Sequence, residues 1–256
     1  MTSQAIPDPR PAARTVSSRI EAVDLARGLA LIAMTTFHFG WDMEFFGYAP
    51  PGFASQPAMV WYARCIASSF LFLVGVSMVL AHGGTFRAGA FLKRLAMIGG
   101  AALAISVATW FATPDAFIFF GILHHIAVAS VLGLLFLRMP WWLNYAAAAL
   151  FILARMYLRT PLLDDPWWWW SGLSSINPRS NDYVPVFPFM AAVLAGMATT
   201  QLAARLGWLE RLASVRLHGP VSRLLRFIGR HSLIYYLLHQ PVMIGLIIAF
   251  QWVTGI

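Results

Sequence analysis

Leu71-Phe-Leu-Val-Gly75-Val-Ser77-Met-Val-Leu80 is apolar on every face, and residues 146–153 and 242–250 read the same way. Each run lies inside a longer apolar stretch near the ~20 residues that a helix needs to cross the ~30 Å hydrocarbon layer of a bilayer. A barrel of lipid-facing strands would need short segments that alternate apolar and polar residues, and these runs do not alternate. A helix satisfies its own backbone in hydrocarbon, so the expected fold is all-α, a polytopic transmembrane helix bundle.

Working outward from these runs, spans are expected at roughly 27–47, 59–81, 95–112, 116–137, 140–158, 184–206 and 227–253, about seven in all. The composition agrees: 59 % of the residues are hydrophobic and 11 % charged, with a mean hydropathy of +0.69, which is no soluble composition. Seven crossings in 256 residues leave no room for a separate soluble domain. Residues 1–18 carry Pro7, Pro9, Pro11, Arg10 and Arg14 without the apolar core of a signal peptide, and are expected to form a disordered cytoplasmic tail. Residues 19–256 then form a single membrane domain. Cys65 is the only cysteine, which excludes an intramolecular disulfide, a cysteine-built zinc site and an iron–sulfur cluster held by this chain alone.

The net charge of +8 invites a nucleic-acid reading until the basic residues are placed. With the N-terminus cytoplasmic, 14 of the 18 basic residues fall on the inner side, and only Arg64, Arg155, Arg159 and Arg179 fall outside. Six of the ten acids, Asp42, Glu44, Asp115, Asp164, Asp165 and Asp182, lie on the outer side. That asymmetry is the positive-inside pattern, so the charge reports topology and no nucleic-acid partner is expected. The longest outer loop, about 159–183, contains Trp167 to Trp170 in a row, read either as an interfacial aromatic belt or as a platform for a sugar ring or lipid.

Ionisable residues inside spans need a partner or a role. Along the first span, Arg27 and His38 are separated by eleven steps, about 16 Å of helix, which carries His38 from the inner rim to mid-membrane. Asp42 lies four residues further on the same face and can orient or charge that imidazole, while Asp24 and Arg27 are neighbours at the inner mouth. His38 reads either as a reacting group or as a helix-to-helix hydrogen bond to Ser68 or Ser69. The fourth span holds His124 and His125, which point about 100° apart, so only one of them can face a given ligand. The last span holds His231 at the inner rim and His239 at mid-depth, beside Gln240 and a helix-kinking Pro241. Arg64 is expected to snorkel outward. Together these positions outline a polar channel from an arginine-rich inner mouth past His38. Imidazoles there suit general-base work, acyl transfer, proton relay or haem ligation.

Three segments carry a resemblance. Arg19-x-x-x-Val23-Asp24-x-x-Arg27-Gly28, Phe70-Leu-Phe-Leu-Val-Gly75-Val-Ser77 and Phe120-Gly121-Ile122-Leu123-His124 resemble the heparan-α-glucosaminide N-acetyltransferase family of membrane proteins. The Arg27-x10-His38 spacing and the segment from Gly229 to His239 are similar to motifs of the related acyltransferase-3 enzymes. The resemblance implies an integral protein of a bacterial inner membrane that takes an acetyl group from cytoplasmic acetyl-CoA and passes it across the bilayer to an amine or hydroxyl. By the motif match His38 activates the acceptor or carries the acyl group and Arg27 shapes the thioester end, while Asp42, His124 and His239, from their positions along the polar channel, are the further candidate catalytic residues. Arg87, Lys93 and Arg94, or Arg226 with Arg230, offer charge for the CoA phosphates. The glucosaminide enzymes carry asparagine where His38 stands and a histidine in the loop after the first span, whereas this chain has no histidine between Phe39 and Ala81. An envelope glycan or small amino sugar is therefore the expected acceptor.

From the residues alone two other classes compete: a proton-coupled small-solute transporter, and a haem protein with ligands among His38, His124, His125 and His239. A transporter would be expected to show matched broken helices in an inverted repeat, and none is legible. No metal site is expected, and the formation of a homo-oligomer is left open.

Overall fold

A computed structural model describes residues 20–84 and 86–255. The expected tail at 1–18, with Arg10 and Arg14, lies outside the described residues, as does Arg19. The described chain forms nine α-helices and no strand: α1 (Glu21–Phe45), α2 (Pro57–His82), α3 (Ala88–Ala112), α4 (Ile122–Phe136), α5 (Trp141–Tyr157), α6 (Val186–Arg205), α7 (Trp208–Ser214), α8 (Pro220–Arg230) and α9 (Ser232–Thr254). Five of them, α1, α2, α3, α6 and α9, are long and apolar enough to cross a membrane. With 15 and 17 residues, α4 and α5 are shorter.

Two boundaries differ from expectation. The fourth span does not begin at 116: a single 3-10 turn at Pro114–Ala116 is followed by non-helical backbone, and α4 starts only at Ile122. The final span divides at His231, because α8 turns aside to pack across α1. There Gly28 faces the Leu225 carbonyl and Gly229 faces the Asp24 carbonyl, so closely that a Cβ on either would lie 2.1 and 1.9 Å from those oxygens. Val221, Leu224 and Phe227 remain exposed on the far side of α8, while Arg226 folds back to Glu21 at 2.5 Å. Pro241, expected to kink the last helix, is carried inside an α9 that runs continuously to Thr254. Neighbouring helices and water can absorb the freed backbone group in a membrane setting.

The main core joins α2, α4, α5 and α6 around Leu71, Met78, Met190, Leu194 and Met197. Its closest approach is made by glycines on both sides: a Cβ on Gly75 would lie 2.0 Å from the Val193 carbonyl oxygen, and one on Gly196 2.1 Å from that of Phe72. In lipid, where apolar side chains gain nothing by leaving hydrocarbon, such backbone approach is what binds two helices. At the inner turn Asn144 donates to Gln201 at 2.9 Å, and Gln201 donates to the carbonyls of Leu137 and Met139, closing the turn between α4 and α5.

On the outer side, the loop after α5 is built on polar pins. Asp164 accepts from Ser174, from Ser175 Oγ and from the Ser175 N–H, while Arg159 donates to the Ser174 and Ser175 carbonyls. Arg155 donates to the Gly172 carbonyl and to Asn177. Trp167 is 84 % exposed, but Trp169 and Trp170 pack on Phe119 and Phe120, so the tryptophan run is divided between surface and structure.

Candidate active site

The inner ends of α1, α2, α3 and α6 surround a cavity of about 1210 Å³. Six arginines line it: Arg27, Arg87, Arg94, Arg138, Arg205 and Arg230, opposed by Asp24 and Glu210. Their placement follows from the sequence, since each sits at or just beyond the inner end of an apolar run, where the chain turns. Asp24, only 1 % exposed, accepts from Arg27 Nη1 at 3.0 Å and from Arg230 Nε at 3.3 Å, tying α1 to the end of α8. Arg27 Nη2 donates to Ser77 Oγ at 2.5 Å, and that hydroxyl passes its own proton to the Leu73 carbonyl. The guanidinium is thus held between two helices before any ligand arrives.

Of the residues expected to bind the cofactor, Arg87, Arg94 and Arg230 line this cavity, together with Arg27, and Lys93 does not. Arg226 is engaged by Glu21 and by the Leu217 carbonyl. Arg138, Arg205 and Ser77 also line the cavity and were not among the expected site residues, although the inner ends of the fourth and sixth spans offered the signal for the two arginines and Ser77 closes one of the segments that carry the resemblance.

Further along α1 two histidines meet. The rings of His38 on α1 and His239 on α9 lie 5.0 Å apart between centroids. One turn outward, Gln240 Nε2 donates to Asp42 Oδ1 at 2.5 Å, and one turn inward Thr35 and Tyr235 share a hydrogen bond of 2.8 Å. These pairings register α1 against α9 and set His38, His239, Asp42 and Gln240 along one seam. His239 donates from Nδ1 to the Tyr236 carbonyl, which leaves its Nε2 a lone pair. That nitrogen, Asp42 Oδ2 and Gln240 Oε1 are all buried and have no partner among the described residues. All three are hydrogen-bond acceptors, and leaving them unpaired is costly unless a ligand or water supplies the donors.

The structure therefore brings together His38, His239 and Asp42 of the expected catalytic residues, with Arg27 inward at the cavity. Asp42 is engaged by Gln240 rather than by the His38 ring, and neither Ser68 nor Ser69 bonds to His38 among the described residues. His124 lies elsewhere, at the start of α4. It accepts the Gly121 N–H at Nδ1 and donates from Nε2 to Ser106, whose own proton goes to the Ile118 carbonyl. Both of its nitrogens hold α4 to α3. His125, with no exposure at all, bonds the Val184 carbonyl at 3.0 Å. Arg64 lies over the Trp61 ring at 5.4 Å, in the first two turns of α2. No group of three or more His, Cys, Asp or Glu residues placed to hold a metal occurs among the described residues.

The family model described as "Heparan-alpha-glucosaminide N-acetyltransferase, catalytic" matches residues 19–241. No curated protein matches the chain, and neither does any solved structure.

Proposed function

The chain belongs to the heparan-alpha-glucosaminide N-acetyltransferase catalytic family, and from that premise we propose that it transfers an acetyl group from cytoplasmic acetyl-CoA to an amine or hydroxyl of an amino sugar or envelope glycan, in a bacterial inner membrane. One observation carries the reading. An arginine-lined inner cavity and a paired histidine seam lie in line along α1, with the charged mouth at Arg27 and the imidazoles about 16 Å deeper.

The CoA phosphates are met by Arg87, Arg94, Arg138, Arg205 and Arg230, whose guanidiniums suit phosphate oxygens in charge-assisted pairs. Asp24 keeps Arg27 and Arg230 oriented, and the acyl arm reaches outward toward His38. The acceptor nucleophile attacks the thioester carbonyl: a C–N or C–O bond forms, the C–S bond breaks, the acceptor's proton passes to the His38 imidazole, and the thiolate is protonated to free CoA. Asp42 Oδ2 and Gln240 Oε1 accept hydrogen bonds from the acceptor, and His239 offers its Nε2 lone pair beside His38.

Purified protein is expected to bind acetyl-CoA by calorimetry and to acetylate glucosamine. His38→Ala is expected to lower transfer by about 10²–10⁴-fold, the range for loss of a general base, while acetyl-CoA binding persists. Full activity in that variant would remove His38 from the chemistry. Glucosamine uptake into proteoliposomes without any acyl donor would replace the enzyme by a carrier.

A further inference from the structure

Asp182, one of the outer-side acids, lies near the end of the non-helical connection between α5 and α6 and is tied into the helix bundle. Two non-helical segments, residues 113–121 before α4 and 180–185 before α6, pair with one another: Asn181 N–H donates to the Ala116 carbonyl at 2.9 Å, Val184 N–H to the Phe120 carbonyl at 3.1 Å, and Ser180 Oγ to the Phe117 carbonyl at 3.0 Å. The pair descends to the end of α4, whose 15 residues span only about 22 Å of a ~30 Å hydrocarbon layer. Irregular backbone at that depth is tolerated only where it is buried in protein or lines a watered cavity.

The tip of this pair is Asp182. Its Oδ2 accepts the Ile122 N–H at 2.8 Å and the Tyr236 hydroxyl at 3.5 Å. Tyr236 neighbours Tyr235, which is level with Thr35 of α1, and its ring lies 5.7 Å from that of His239. Asp182 is therefore at the depth of the histidine seam, against the same face of α9. Space is made for it by Gly121, where a Cβ would stand 2.3 Å from Asp182 Oδ2. Among the described residues no cation pairs with Asp182, and its Oδ1 has no hydrogen-bond partner, yet that oxygen is not sealed off as Asp42 Oδ2 is. A carboxylate this deep needs a partner, and one of its oxygens is held while the other is left open.

We propose that Asp182 is the outer-side acceptor-binding residue of the reaction centre, its open Oδ1 accepting a hydrogen bond from a hydroxyl or amino group of a sugar that enters past the paired segments. The proposal rests on the acetyl-transfer reading for its kinetic test and is independent of it for its access test. Tyr236 acts through Asp182, as a positioning residue.

For access, Asp182→Cys in a Cys65→Ser background is treated with a membrane-impermeant charged methanethiosulfonate added to right-side-out vesicles. Modification from the outside, slowed by glucosamine, is expected. An unreacted thiol, with Ser175→Cys on the loop surface reacting readily, would overturn the proposal. For kinetics, Asp182→Asn keeps an acceptor for the Ile122 N–H, and is expected to raise KM for glucosamine at least tenfold with KM for acetyl-CoA unchanged. Tyr236→Phe, which removes one hydroxyl from a retained ring, is expected to raise the same KM several-fold. A folded Asp182→Asn enzyme with wild-type KM for glucosamine, or with both KM values raised alike, would also overturn it. If wild-type protein neither binds acetyl-CoA nor transfers acetyl, the acetyl-transfer reading fails, while protection by glucosamine in the access test still decides whether Asp182 meets a sugar.

Discussion

Two arginines four residues apart on one helix do different work, and only their contacts show it. Arg230 reaches the cavity and shares Asp24 with Arg27, whereas Arg226 is turned back onto Glu21 and Leu217. Arg230→Ala is expected to weaken acetyl-CoA binding at least tenfold, read by calorimetry, with little change in thermal stability, since Asp24 keeps Arg27 at 3.0 Å as its charged donor. Arg226→Ala is expected to leave that affinity within about twofold and instead to lower Tm, because Glu21 loses the closer of its two charged donors, with Arg216 at 3.6 Å remaining, and the Leu217 carbonyl loses its guanidinium. The reverse pattern would exchange their roles. His38 was readable as a mid-membrane histidine from its spacing to Arg27, because helix rise converts residue count directly into depth. Its partner His239 was readable only as another mid-depth histidine, since nothing local says which faces of α1 and α9 meet.

Among elements, the outer loop after α5 has a testable switch. Hydrogen bonds from Ser175 and Ser174 hold the Asp164 carboxyl below the ordinary carboxylate range. A carboxylate depressed in the folded loop stabilises it fully above its unfolded pKa of about 3.9, and that contribution is lost as pH falls through the lower folded value. Tryptophan emission from Trp167 to Trp170 is therefore expected to hold steady at neutral pH and to shift only below about pH 4. In Asp164→Asn the loop should be loosened at neutral pH, and this acid transition should be gone. An unchanged acid transition in that variant would assign it to another group. The spans were legible because apolar run length is a local property. The start of α4 was not: Phe117-Ile-Phe-Phe is as apolar in extended form as in a helix, and hydropathy does not distinguish the two. The break at His231 was equally hidden, because it is made by Gly28 and Gly229 letting α8 cross α1 at backbone distance.

At the scale of the whole molecule, the arginine-lined cavity at one end and the paired, irregular segments at the other are the two ends of the reaction path we propose. In sealed vesicles of defined orientation, acetyl-CoA is expected to support transfer only when supplied on the side of Arg87 and Arg94, and a membrane-impermeant sugar acceptor only on the side of Trp167. Turnover with both substrates confined to one side would refute a path through the bilayer. The sequence by itself determined that the chain is a bundle of membrane helices, which end carries the arginines, and that His38 and His239 stand far along their helices, because run length, charge asymmetry and helix rise are all properties of the chain read along one axis. The tertiary structure alone decided that those two histidines meet, that His124 is committed to holding α4, that Arg138 and Arg205 join the cavity, and that Asp182 is brought to the start of α4 and to Tyr236 of α9. Each of these depends on the lateral registration of helices. Glycines at backbone contact and buried hydrogen bonds between residues more than 50 positions apart set that registration, and no local pattern encodes it.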